Sequence, residues 1–205
     1  MSRRLILVSE HYQPSSGATA QLMHDLSRGL AELGWTITVL TATSALPIDD
    51  ANNHHRVVRL GQQQKAADAT KSLVGKTLAG LRFFCSCLLW CSFRAHRNDL
   101  VFIVSNPPFI GLIGPLLKIV RRLPYIYLFQ DLFPRSAVLT GVLPAQGFST
   151  QIWIALMQWI CRHSAATVVL NQAMAKQLQQ DGRHRLPLTV IHNWAIEQGS
   201  ASPRA

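Results

Sequence analysis

Apolar positions along this chain fall into two alternating rhythms. Leu5 to Val8 form an unbroken apolar run, as expected of a strand covered on both faces. Leu22, Leu26, Leu30 and Leu33 then recur at helical spacing, Gly34 stops that helix, and Thr36 to Leu40 begin a second strand. The three pieces make a βαβ unit. Val57–Leu60, Leu100–Val104, Tyr125–Phe129, Thr167–Leu170 and Leu188–Ile191 read as further strands. Helices are predicted near 108–121, 148–162 and 172–181, and the apolar stretch Leu81–Phe93 reads as another. Asn106, Pro107 and Pro108 stop the fourth strand abruptly, and Gln62–Thr70 reads as a surface loop. Such alternation predicts one α/β domain with a doubly wound parallel sheet.

Open parallel sheets bind ligands beyond the carboxyl ends of their strands, which directs attention to three loops. After the first strand, EHYQPSSGATA leads into the first helix. Ser16, Gly17 and Ala18 there let backbone approach a ligand, and the helix start favours an anion; a short structural turn would read the same way. The stretch lacks GxGxxG, so no dinucleotide fingerprint is present. Ser105 and Asn106 follow the fourth strand, and Gln130 and Asp131 follow the fifth. Asp131, with Pro134, Arg135 and Ser136, is a carboxylate at a strand end, able to orient a substrate hydroxyl or act as its general base. The structural alternatives are that it caps the following turn or pairs with Arg135. Arg135 is also the arginine best placed to balance phosphate charge. His11 lies just past the first strand, within reach of an acceptor or phosphate, although a lone histidine is more often structural.

Composition changes this picture at one segment. The 48% hydrophobic content supplies ample core, and 205 residues match a single domain of roughly 100–200 residues. Net charge is +10, yet residues 56–122 hold eleven Lys or Arg against Asp68 and Asp99, which is +9. An acidic partner is therefore expected. Nothing resembles a helix-turn-helix, a zinc module or an RNP aromatic pattern, so no nucleic acid is expected and anionic phospholipid is the better candidate. Leu81–Phe93, flanked by Lys76, Arg82, Arg94 and Arg97, is too short to span a bilayer, which takes ~20 apolar residues. It fits either an interfacial anchor or a buried crossover helix, and Ile152–Ile160 extends the same apolar character.

The cysteines and remaining histidines add little chemistry. Cys87 and Cys91 share a helical face while Cys85 points elsewhere, and no CxxC pair exists, so buried small hydrophobes are expected and no metal. His54, His55 and His184 sit in polar, loop-like contexts and are expected to be solvated. Arg3 and Arg4 precede only a four-residue apolar run, shorter than the ~7–15 residues of a secretory core. A cytoplasmic protein is expected, peripheral on the inner face of the cytoplasmic membrane.

Several phrases carry a family resemblance. YQPSSGATAQLMHDLSRGLAELGWTITVLTA resembles the opening of family 4 glycosyltransferases of the GT-B fold, with Trp35 where His or Tyr is usual. DLVFIVSNPPFIG and QDLFPRSAVLTGVL resemble the branch acting on bacterial surface polysaccharides, including fucosyl- and aminosugar transferases. TVIHNW resembles the segment closing the first domain, with His192 in place of Pro. The resemblance implies residues 1–194 as a Rossmann-like N-terminal half of a GT-B enzyme, followed by a polar tail at 195–205. It implies transfer of a sugar from a nucleotide-sugar to a glycan or lipid-linked acceptor, hexosyltransferase-like, with retention and without cofactor or metal. The first domain binds chiefly the acceptor. A second domain with a Glu-x7-Glu pair normally follows, whereas this sequence ends about a dozen residues past Asn193. The expectation is a truncated or split half, inactive alone and completed in trans; the alternative is a non-catalytic partner or membrane-docking module that keeps the fold.

Overall fold

The structure is a computed structural model that describes residues 3–15, 17–43, 54–60, 73–131, 133–141, 144, 147–182 and 185–193, without the side chains of 73, 74 and 76. Ser16, His184, the expected loop at 62–70 and the tail at 195–205 lie outside the described residues.

Every predicted strand forms. β1 (Arg4–Val8), β2 (Thr36–Thr41), β3 (His55–Arg59), β4 (Leu100–Val104), β5 (Tyr125–Phe129), β6 (Ala166–Val169) and β7 (Leu188–Val190) build one sheet in the order β3-β2-β1-β4-β5-β6-β7. All six pairings are parallel. The strand period of two sends Ile6 and Val8 to one face and Leu5 and Leu7 to the other, so one apolar tetrapeptide feeds two cores. That double burial is why the run contains no polar residue.

Helices then cover the two faces unequally. α1 (Ala18–Glu32) packs Leu22 and Met23 against Leu5, Leu7, Ile37 and Val39. Gly34 ends it in the left-handed region, at φ 84°, where a side chain would be strained. The opposite face carries α2 (Leu73–Arg94), α3 (Ile113–Arg121), α5 (Phe148–His163) and α6 (Gln172–Gln180). Crossover right-handedness requires this division, because the chain moves one way from β1 to β3 and the other way from β4 to β7. The helix expected at 108–121 opens as a 3₁₀ turn, Pro108–Leu112. A short α4 (Arg135–Leu139) was not signalled by periodicity, being five residues long.

Leu81–Phe93 lies within α2, a crossover helix that packs one side on the sheet. Phe83, Cys87 and Cys91 are buried against the sheet, while Cys85 is exposed. Burial pushes the Cys91 and Cys161 thiols up to about 12, and raises Cys87 as well, with Cys91 beside it adding to the effect. Two glycines bring α3 and the turn before it onto the sheet. A Cβ on Gly114 would lie 2.5 Å from the buried ring of Tyr125, and one on Gly111 would lie 2.8 Å from Tyr127. No described helix is long and apolar enough to cross a membrane.

Candidate functional site

The sheet order reverses between β1 and β4, and the carboxyl rim at such a switch point is where open parallel sheets bind ligands. Three loops border it, and each contains a cis X-Pro bond: Gln13–Pro14, Asn106–Pro107 and Phe133–Pro134.

These loops are tied to one another by side chains. The Ser105 hydroxyl, just past β4, accepts the Gln130 backbone N–H at 2.9 Å. Thr19, in the first turn of α1, donates to Gln130 Oε1 at 2.9 Å. Gln130 therefore bridges the loops after β1, β4 and β5, which makes it a brace as well as a candidate contact. Gly17 is exposed and caps α1 with no side-chain hydrogen bond, and the first turn holds no acidic residue. The unbonded N–H groups of that turn and the helix dipole leave this end suited to an anion. Ala18 beside it is exposed, and Asn106 is half-buried at the end of β4.

Asp131 is exposed at the end of β5, and the Ser136 hydroxyl donates to its Oδ2 at 2.9 Å. Arg135 is not its partner. Arg135 instead forms a two-point ion pair with Asp181 at the end of α6, at 2.7 and 3.3 Å. His11 is exposed 3.8 Å from the Glu10 carboxylate. Burial raises the Glu10 pKa above its ordinary value, and the neighbouring His11 opposes that shift.

Underneath the first loop lies a polar cluster that periodicity did not reveal. The buried Tyr12 hydroxyl stands 2.6 Å from Ser27 Oγ, 3.1 Å from His55 Nε2 and 3.3 Å from His24 Nδ1. His55 is buried, which corrects the expectation of a solvated loop residue: it pairs with Ile37 in the β2–β3 ladder and faces α1. His54 is exposed as expected. The only advance signal for this cluster is the in-strand alternation of HRVVR, which is weak over five residues.

The glycosyl transferase 4-like domain matches this chain over residues 17–194. The probable glycosyltransferase WbjE of Pseudomonas aeruginosa is 28% identical over 105 residues, covering 51% of this chain and 26% of WbjE. Among solved structures, sucrose-phosphate synthase from Thermosynechococcus elongatus superposes with a TM-score of 0.65 at 14% identity, over 93% of this chain and 48% of that one. The Anabaena protein HepE, solved with UDP-glucose, superposes with a TM-score of 0.58 at 14% identity, over 93% and 43%. The chain thus spans less than half the length of these proteins, and at such identities the superpositions speak for the fold. With its domain matched from Gly17 to Trp194 and its seven-stranded sheet shared with GT-B glycosyltransferases, this chain belongs to the glycosyl transferase 4-like domain family.

Proposed function

We propose that this chain is the acceptor-side domain of a glycosyltransferase that moves a sugar from a nucleotide-sugar to a lipid-linked or polysaccharide acceptor. The observation that carries the reading is the braced rim, where Thr19, Gln130 and Ser105 tie together the segments after β1, β4 and β5, with Asp131 exposed next to Gln130. HepE, of the same fold, is solved with UDP-glucose, which supports a nucleotide-sugar as donor.

Chemically, the acceptor oxygen forms the new bond to the anomeric carbon as the bond to the nucleotide diphosphate breaks, and the diphosphate leaves with the electron pair. Asp131 orients the acceptor hydroxyl or takes its proton, with the Ser136 hydroxyl holding the carboxylate in place. The anionic end of the ligand lies against Gly17 and Ala18 at the start of α1, with Asn106 and His11 flanking it. Arg135, half-exposed and paired with Asp181, is the arginine of this loop that balances phosphate charge. Neutralising the departing diphosphate falls to a second, donor-binding domain, since an oxocarbenium-like transition state needs such charge.

Apolar side chains in the segments after β5 support a lipid-linked acceptor. Phe133 meets Trp153 edge-to-face at 4.9 Å, and Leu139 and Phe148 are exposed close to them in the chain. The test is Asp131→Asn in the chain joined to a donor-binding domain. A kcat loss of ~10²-fold with little change in nucleotide-sugar KM supports the role. Unchanged kcat refutes that role for Asp131, and absence of transfer by the joined chain with Asp131 intact favours the non-catalytic alternative.

A further inference from the structure

The outward side of α2 repeats the apolar pattern of its buried side. Leu78, Leu81, Cys85, Leu89 and Phe93, spaced three, four, four and four residues apart, form one exposed stripe. Phe93 is 80% exposed. α3 packs on the same face of the sheet and ends in Ile119 and Val120, each 68% exposed. Cations stand along these elements: Arg82, Arg94, Arg97, Lys118 and Arg122 are exposed, and Arg121 is half-buried. Between 73 and 122 the one acidic residue is Asp99, which is buried and held by Arg4 at 3.0 Å.

We propose that the outer stripe of α2, with the last turn of α3, docks on an anionic lipid bilayer. Scattered exposed leucines need no explanation, but an aligned stripe rimmed by arginines with no exposed acid does. α2 spends its inner face on the core, so only its outer side chains enter the headgroup boundary, with its arginines reaching for phosphates. Charge decides among occupants. A second copy would set this cationic surface against itself, and a nucleic acid would leave the apolar stripe in water. α2 runs from the carboxyl end of β3 back to the amino end of β4, so a helix lying flat leaves the rim at headgroup level, where a lipid-linked acceptor would present its sugar. That consequence rests on the proposed function; the docking does not.

Flotation of residues 1–205 with vesicles of phosphatidylcholine alone, or containing phosphatidylglycerol, tests this without any transfer assay. Binding is expected only to the anionic vesicles and is expected to weaken with salt. Arg82→Ala and Arg94→Ala should each lower partitioning about fivefold. Leu89→Glu with Phe93→Glu should abolish it, with thermal stability kept because both positions are exposed. Leu33→Glu, exposed at the C-cap of α1 across the sheet, should bind as the unmodified chain does. Equal binding to neutral vesicles, no binding to either, or full binding by the Leu89→Glu, Phe93→Glu variant would overturn the proposal. So would a dimer in light scattering that the same variant dissociates, or duplex DNA binding that the arginine changes abolish.

Discussion

Tyr12→Phe removes one hydroxyl from beneath the loop that carries Gly17, and leaves the ring packed where it is. That hydroxyl has three neighbours, Ser27, His55 and His24, at 2.6, 3.1 and 3.3 Å. At ~1 kcal/mol net for each hydrogen bond, the ceiling is about 3 kcal/mol. The deletion does not orphan every group, however. Ser27 still donates to the His24 carbonyl at 2.8 Å and stays 3.0 Å from His55 Nε2. The expected loss is therefore ~1–2 kcal/mol. At ~2–4 °C per kcal/mol for a chain of this size, Tm should fall by roughly 2–8 °C. Calorimetry and urea unfolding at neutral pH measure it, with His11→Ala as an exposed control in the same loop. A Tm within about 1 °C of the unmodified chain would refute the reasoning, since a cavity-neutral loss of a buried bonded hydroxyl has to cost more than that.

Three other outcomes follow from burial and charge. In the folded chain, Cys85 should react with a thiol reagent while Cys87, Cys91 and Cys161 wait for unfolding; more than one fast thiol would contradict their burial and raised pKa values. Gly114→Ala should destabilise by ~1–3 kcal/mol in urea, because its methyl meets a Tyr125 ring held by a hydrogen bond to the Ile160 carbonyl. A raised Glu10 pKa means that the folded chain binds more protons than the unfolded one above pH 4.5, so this group's contribution falls as pH rises through that window. Glu10→Gln should thus gain stability relative to the unmodified chain as pH increases past 4.5, and a flat difference between pH 4 and 7 would count against it.

Much of the architecture was legible in the sequence because a parallel sheet buried on both faces tolerates only apolar runs. LILV and LVFIV could be little else, and Gly34 and Pro107 marked where elements stop. The rim was legible for the same reason, since residues following strands have to gather at one edge. What joins the loops was not, because Thr19 and Gln130 are 111 residues apart and neither carries a local signal. Arg135 shows the limit from the other side. Its loop neighbour Asp131 was the natural partner by sequence, yet the packing of α6 brings Asp181 closer. His55 was misread because its polar neighbours suggested a loop, while only the ladder with β2 turns it inward. For α2, composition revealed an apolar, basic element but not that its two sides divide between core and surface.

Central to this account is that the rim forms one wall of a two-domain site. Sugar transfer to a lipid extract from a panel of nucleotide-sugars tests that most directly, comparing residues 1–205 with the same chain fused after Asn193 to a donor-binding glycosyltransferase domain. The account predicts negligible transfer by the chain by itself, because an open rim leaves the reacting charges in water, and at least ~10²-fold more from the fusion. Robust transfer by residues 1–205 unaided would contradict it.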